Sequence, residues 1–435
     1  MLVLSCVAPA AAAAAGSDPL FTSQWALSEP SATGAQEAWT RSNGAGIVVA
    51  VLDTGVQLDH PDLAGSIWTN PREIPGNGID DDGNGIVDDV HGANMLNGSG
   101  NVHDDNGHGT HVAGIVAARR GNGIGGAGIA PGATILPVKV LGADLTGDTT
   151  ALANGIRYAV AQGARIINVS INSNGYSDAL AGAVRHAGAQ GATIVASAGN
   201  SSRSIDLLPS FPASLPDPAL LAVAATDQTA GLARLSNFGL LSVDLAAPGT
   251  RIASTTRGSG YQYRQGTSAA APFVAGSLAL LAAARPDLSQ SALRGALLAT
   301  AQRTGKLTSL IGAGRLDVGA AMRRVAGSTG QVELIAGAAS VGARPRLRLR
   351  STLNVRPGRR SVLRWTSTGT RDVVRWRISL NGRAVATVRS GKTRRVTRTI
   401  RRAGSHRWGV VGFNATGRKI VTGKRVFRVK RAARR

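Results

Sequence analysis

Three short segments, far apart in the chain, each set a reactive side chain among small residues. Asp53 closes the apolar run Ile47-Val48-Val49-Ala50-Val51-Leu52 and precedes Thr54-Gly55, so a strand tip presents a carboxylate and glycine permits a sharp exit. Taken alone, it reads first as a turn or helix-capping Asp. His108 lies in Asn106-Gly107-His108-Gly109-Thr110-His111-Val112-Ala113-Gly114, where flanking glycines let backbone approach the imidazole from both sides. His111 follows three residues on. No Glu completes the H-E-x-x-H zinc arrangement, so His111 reads as structural. Ser268 lies in Gly266-Thr267-Ser268-Ala269-Ala270-Ala271-Pro272, at the head of an apolar helix. Serine there is ordinarily an N-cap. The functional reading is a nucleophile at the positive end of a helix dipole, its own N–H aimed at a developing oxyanion. Pro272 is expected in the first turn, where it costs no hydrogen bond. Asn200 ends Ile194-Val195-Ala196-Ser197-Ala198-Gly199-Asn200. It is a plain turn residue, or a second oxyanion donor if the fold sets it beside Ser268. Hydroxyl, imidazole and carboxylate together can carry out acyl transfer.

These groups need a scaffold that brings them together. Continuous apolar runs at Ile47–Leu52, Thr134–Leu141, Arg165–Val169, Thr193–Ala196, Leu220–Ala224 and Val243–Ala246 read as buried strands. Helical stretches alternate with them at Thr110–Ala118, Ala151–Ala161, Asp178–Ala189, Ser268–Ala284 and Gln290–Ala299. Strands without polar alternation, separated by helices, predict an α/β fold with a doubly wound, mostly parallel sheet. Chemistry in such folds gathers beyond the carboxyl ends of the strands, where Asp53 and Asn200 fall.

The order Asp, His, Ser is that of subtilisin, distinct from chymotrypsin and the α/β-hydrolases. The sequence resembles the subtilases, the subtilisin-like serine peptidases. The matching segments are VAVLDTGVQLDHPDL at 49–63, NGHGTHVAG at 106–114, VASAGN at 195–200 and GTSAAAPFVAG at 266–276. FPASLP at 211–216, SNFG at 236–239 and AAPG at 246–249 support them. The resemblance runs from about residue 20 to 325 and implies a secreted serine endopeptidase acting on proteins or peptides. Asp53, His108 and Ser268 then form the triad, and Asn200 is the oxyanion donor. Ser170-Ile171-Asn172 stands where the family usually has Ser-Leu-Gly, an edge that pairs with extended substrate, and Ala198-Gly199 forms the other pocket wall. Two departures are Asn172 for the usual Gly and Ala269 for the common Met. About thirty residues precede Gln36–Trp39, fewer than the folded propeptide of many relatives requires. The competing reading is a non-catalytic surface-binding protein that keeps the fold. Complete triad motifs argue against it. A transpeptidase on the same fold is a third reading, but nothing marks an amine-acceptor site.

Residues 76–92 read GNGIDDDGNGIVDDVHG. Asp80, Asp82, Asn84, the Ile86 carbonyl and Asp88 fall at positions 1, 3, 5, 7 and 9 of an EF-hand-like ligand spacing, with Gly85 at 6. The terminal Glu is missing, position 12 being His91, and no EF-hand fold is implied. Clustered carboxylates repel without a counter-ion, so this loop is expected to bind structural calcium. Asp104 and Asp105 are further candidates.

The whole chain has 435 residues, enough for two or three domains. Aromatics make up 4%, so the core rests on Val, Ile, Leu and Ala. One Cys excludes a disulfide framework and a Cys-built zinc site. No uninterrupted apolar run reaches the ~18 residues of a membrane span. Residues 1–16 resemble the apolar stretch and Ala-rich cleavage zone of a secretory leader, though without a basic start; Cys6 within it hints faintly at lipidation. Residues 17–327 are assigned to the peptidase domain. Charge then changes: residues 1–330 carry 20 Lys+Arg against 23 Asp+Glu, residues 331–435 carry 29 against 2. Residues 340–431 alternate apolar and polar positions in about seven short stretches, with Asn381-Gly382 as a hairpin signal, and predict a basic C-terminal all-β sandwich. Its charge would attract an anionic surface polymer, a membrane or nucleic acid without specificity. The protein is expected to be a monomer.

Overall fold

The computed structural model describes residues 18–305 and 307–327, and C-terminal strand segments between 346 and 429. The expected leader with Cys6 and the join after residue 327 lie outside the described residues.

Seven parallel strands form the central sheet: β1 (Val48–Asp53), β2 (Ala93–Asn94), β3 (Thr134–Lys139), β4 (Ile166–Val169), β5 (Thr193–Ser197), β6 (Leu220–Thr226) and β7 (Leu245–Pro248). Their order is β2-β3-β1-β4-β5-β6-β7. Nearly every strand residue is buried, because helices cover both faces; hence the apolar runs without alternation. Strand β1 lies between β3 and β4, and from it the chain winds outward both ways. Asp53 therefore ends a strand at the point where the winding reverses, the usual place for a ligand crevice.

Side-chain parity decides which face Asp53 uses. Val49 and Val51 pack with the helices His108–Ala117 and Thr267–Ala284, while Ala50 and Leu52 pack with Thr149–Ala161 and Asp178–Ala189. Successive strand residues alternate faces, so Asp53 points to the side that carries His108 and Ser268. The Thr267–Ala284 helix is long and apolar enough to cross a membrane, but 83% of it is buried against its neighbours. It is apolar all round because it is a core helix. Ser289 and Asp317 cap the two helices that follow, each accepting an N–H of the first turn.

The apolar runs miss two elements. Strand β2 is only two residues long, and the antiparallel hairpin β8 (Ile252–Thr256) and β9 (Gly260–Arg264) has a partly exposed, polar second strand. The C-terminal strands β10 (Arg346–Ser351), β11 (Asn354–Val355), β12 (Arg360–Thr368), β13 (Arg375–Leu380), β14 (Arg383–Arg389), β15 (Arg395–Thr399), β16 (Gly404–Phe413) and β17 (Lys419–Val429) form two sheets. Three strands pair as β10-β12-β15 and five as β11-β17-β16-β13-β14. β13 and β14 pair antiparallel, as the hairpin signal between them predicts; Asn381-Gly382 itself lies outside the described residues. Trp376 and Ile378 are buried, and Arg377 between them reaches Ser242 of the front region at 3.4 Å.

Candidate active site

The three distant side chains gather beyond the carboxyl end of β1. His108 Nδ1 lies 2.7 Å from Asp53 Oδ1, which also accepts the Thr54 N–H at 2.8 Å. Asp53 is fully buried, and its Oδ2 has no hydrogen-bond partner among the described residues. A buried charge with an idle oxygen costs stability, and such costs concentrate where a charge must be held in place. A carboxylate can only accept, so Nδ1 carries the proton and Nε2 is left as the basic nitrogen.

The sequence builds this contact through close backbone packing. A Cβ on Gly109 would stand 2.0 Å from the Gly55 carbonyl oxygen and 3.1 Å from Asp53 Cβ, so only glycine lets the helix start this close to the strand tip. Asp104 then pins the helix. Its buried carboxylate accepts the N–H groups of Asn106, Gly107 and Thr110 and the hydroxyls of Thr54 and Thr110, at 2.5–3.0 Å. Burial alone would raise its pKa, but the Thr110 hydroxyl and the Gly107, Thr110 and Asn106 N–H groups hold it below the ordinary carboxylate value. Asp104 therefore positions His108 rather than a metal, and Asp105 pairs with Lys139 at 2.8 Å. Nothing near Asp104 in the sequence reveals this, because Thr54 lies fifty residues away. His111 is buried, its Nε2 3.1 Å from the carbonyls of Ile252 and Gln262, and burial pushes its pKa down to about 4. It stays neutral and structural.

Ser268 and His108 line one open cleft of about 290 Å³. The Ser268 hydroxyl has no hydrogen bond to another described residue, which is common before substrate arrives. Pro272 falls in the second turn of its helix, not the first. Its missing N–H leaves the Ser268 carbonyl free, and the Ser170 hydroxyl donates to that carbonyl at 2.9 Å. Asn168 Nδ2 donates in turn to Ser170 Oγ at 2.9 Å. Sequence reading missed this link, although a proline four residues after the serine is its visible cause.

Asn200 Oδ1 accepts the Thr267 N–H at 2.8 Å and the Thr267 hydroxyl at 3.0 Å, which fixes its amide orientation. The vacant Cβ position of Gly266 lies 3.0 Å from Asn200 Nδ2 and 3.3 Å from Ser268 Oγ. An atom beside Gly266 can thus touch an amide donor and a hydroxyl at once, the requirement for trapping a tetrahedral oxyanion. The substrate-edge residues gather on the same side. Gly199 (φ +99°) donates its N–H to Thr267 Oγ1 at 3.0 Å, and Ala198 is fully buried beside it. Asn172 Nδ2 lies 2.6 Å from the point where a Gly199 Cβ would stand, so its amide packs against that wall. Ile171 is half-buried between Ser170 and Asn172.

A model of the subtilase family matches residues 44–314. The chain belongs to the subtilase family. It is 37% identical over 300 residues to thermitase of Thermoactinomyces vulgaris, covering 69% of this chain and 96% of that protein. It is 38% identical over 280 residues to subtilisin BL of Lederbergia lenta, covering 64% and 92% respectively. A solved structure from a set of proteases of Pseudoalteromonas arctica PAMC 21717 superposes with a TM-score of 0.60 at 29% identity, covering 72% of this chain and all of that one. This subtilase is accordingly a serine-type endopeptidase, and its substrates are proteins or peptides.

The acidic loop of this subtilase departs in detail from the expected spacing. Asp80 accepts the N–H groups of Asn84 and Gly85, and Asp88 those of Gly76 and Gly78. Asn84 accepts the Ile86 N–H, so these oxygens already serve the loop backbone. Asp82 also accepts the Asn84 N–H at 3.1 Å, and it meets Glu73 and Asp89, one carboxylate oxygen of each lying within 4.8 Å of the others. Glu73 Oε2 is buried without a partner among the described residues, and burial, with the charges of Asp89 and Asp81, raises the Glu73 pKa. Arg72 touches Asp82 at 2.9 Å and offsets part of this charge. Tyr158, from the opposite-face helix, donates to Asp89 at 2.5 Å. Three hard oxygens and an orphaned acceptor fit a hard cation such as calcium. A second acidic pair lies elsewhere. Burial pushes Asp62 up to about 6 despite hydrogen bonds from Asn122 and Gly126, and the charge of Asp18 adds to the rise.

The His108 pKa is raised. Burial opposes the imidazolium, but the charge and hydrogen bond of Asp53 outweigh burial and the opposing charge of Arg264. Peptidase activity is therefore expected to fall as pH drops, with a limb above the ordinary histidine value of 6.5. Stability runs the other way. A raised folded pKa contributes stability that is full below the unfolded value and is lost as pH rises through the folded one. A kcat/KM profile flat between pH 5 and 8 excludes His108 as the base.

Proposed function

We propose that this subtilase is an exported endopeptidase that cleaves peptide bonds through Asp53, His108 and Ser268 by way of an acyl-enzyme. The observation that carries this reading is the 2.7 Å Asp53–His108 bond at a cleft shared with Ser268. Ser268 Oγ attacks the scissile carbonyl carbon, and its proton passes to His108 Nε2. Asp53 keeps the tautomer and stabilises the imidazolium. The oxyanion is received by Asn200 Nδ2 and the Ser268 N–H at the helix head. The C–N bond then breaks, His108 returns the proton to the leaving amine, and an ester remains on Ser268. Water repeats the sequence: His108 takes its proton, the ester bond breaks, and a carboxylic acid leaves as Ser268 is restored. Ser170-Ile171-Asn172 and Ala198-Gly199 hold the acyl half of the substrate. Labelling with a fluorophosphonate tests this directly. Mass spectrometry should place the adduct on Ser268, and an adduct on another serine, or none, overturns the assignment.

The remaining assignments belong to the same reading. Residues 1–16 are a leader, 17–327 the peptidase domain and 340–431 a basic β domain. Glu73, Asp82 and Asp89, with Asp80, Asn84, Ile86 and Asp88 around them, form a calcium loop. The ion would supply loop rigidity and take no part in bond cleavage. A ligand held at ~100 times its Kd stabilises by ~2.7 kcal/mol, so chelation should lower the Tm of a domain of this size by about 4 °C. An unchanged Tm in EDTA, with no calcium restored on dialysis, removes the calcium assignment. The basic domain tethers the monomeric enzyme to an anionic polymer, since like charges at this density attract polyanions at moderate salt. Heparin retention that survives truncation after residue 327 would dismiss the tether.

A further inference from the structure

The cleft between His108 and Ser268 has a second wall. It is lined by His111, Val112, Tyr263, Arg264, Gln265 and Ala269. None of Ser170, Ile171, Asn172, Ala198, Gly199 or Asn200 lines it, so it is distinct from the acyl-side residues. His108 hands its proton to the leaving amine, and the amine half of a substrate must therefore lie on the imidazole's side. That side is this cleft.

Among the described residues, Arg264 is the one Arg, Lys, Asp or Glu that lines it. Among the described residues it forms no ion pair, and its Nε is buried with no hydrogen-bond partner. Its Nη2 lies 3.5 Å from the point where Gly107, the residue before His108, would carry a Cβ. The guanidinium thus sits at the head of the His108 helix. Two more cations stand near. Arg257 also borders Gly107 and donates to the Asp105 carbonyl at 2.6 Å, and Arg251 lies 5.8 Å from the Tyr263 ring. This concentration is local, since residues 1–330 carry a net charge of −3. A guanidinium without a partner among the described residues, at the wall of an open cleft, is suited to a planar carboxylate.

We infer that Arg264 makes the leaving-group side of the cleft a carboxylate subsite, so that this enzyme prefers Asp or Glu within two residues after the scissile bond. The inference rests on the catalytic reading above and adds a substrate preference to it. The preference is a rate and binding effect of one charge pair, so it weakens as salt rises.

The test uses the full chain and quenched fluorescent peptides, amide-capped so that a terminal carboxylate cannot take the subsite. They carry Glu, Gln or Lys at the first or the second position after the cleaved bond. At low salt, kcat/KM for Glu should exceed that for Gln by at least tenfold at one position, with Lys lowest. The ratio should approach one in Arg264→Gln and invert in Arg264→Glu. A ratio near one in the wild type, or a Glu preference that persists in both variants, overturns the subsite. A wild type that cleaves none of the peptides overturns the catalytic reading, and the subsite falls with it.

Discussion

Ser268→Ala should lower kcat on an unfolded protein or peptide by about 10⁶-fold, the size of loss that removing the nucleophile causes in a subtilisin. Without the hydroxyl no acyl-enzyme forms, and only oxyanion stabilisation and substrate binding persist, worth about 10³–10⁴ over water. The fold should survive. Ser268 Oγ has no hydrogen bond to another described residue, and its backbone carbonyl still receives the Ser170 hydroxyl. Alanine is also the better helix former, by a few tenths of a kcal/mol. Tm should move by no more than about 2 °C. Purified Ser268→Ala that still hydrolyses casein at a comparable rate would mean that another group is the nucleophile. A large fall in Tm would instead reveal a structural role for the hydroxyl.

Asp53→Asn should lower kcat by about 10⁴-fold with little change in KM. An amide at that position can turn its NH₂ toward Nδ1, and the proton then moves to Nε2, the nitrogen that must receive it from Ser268. The variant also removes the charge that raises His108. Burial and the Arg264 charge then act unopposed by it, and the acid limb of the residual activity should shift to lower pH. A kinetic profile recorded from pH 5 to 9 separates this from mere misfolding, which would lower activity at every pH without moving the limb. Activity within tenfold of wild type would show that Asp53 neither sets the tautomer nor holds the ring.

Much of this protein is legible in its residues because the relevant signals are local. The strand runs of the sheet, β2 apart, are four to seven residues of mostly buried chain, and parallel burial erases alternation in each. Ile47–Leu52 also contains the parity that turns Asp53 toward the His108 face. The glycines at 107, 109 and 266 mark backbone that must approach something closely, and Asn381-Gly382 marks a hairpin whose geometry two residues decide. The acidic loop shows its charge density openly. What it hides is which oxygens are free.

Only the tertiary structure decided which distant partner each polar group meets. Asp104 looked like a spare metal ligand, and Thr54 and Thr110 turned it into the clamp of the His108 helix. Glu73 and Asp89 joined Asp82 because the chain folds back across the loop and Tyr158 reaches over from a helix seventy residues on. Arg264 became the free cation of the cleft because the β8–β9 hairpin carries it there. The sequence by itself determined the burial pattern and the chemical types at the strand ends and helix heads, since these follow from periodicity and local backbone freedom. Pairings across fifty to two hundred residues depend on how loops close and which hydrogen-bond acceptors are left over. No periodicity encodes that remainder, and in this protein it positions His108, the acidic cluster and Arg264.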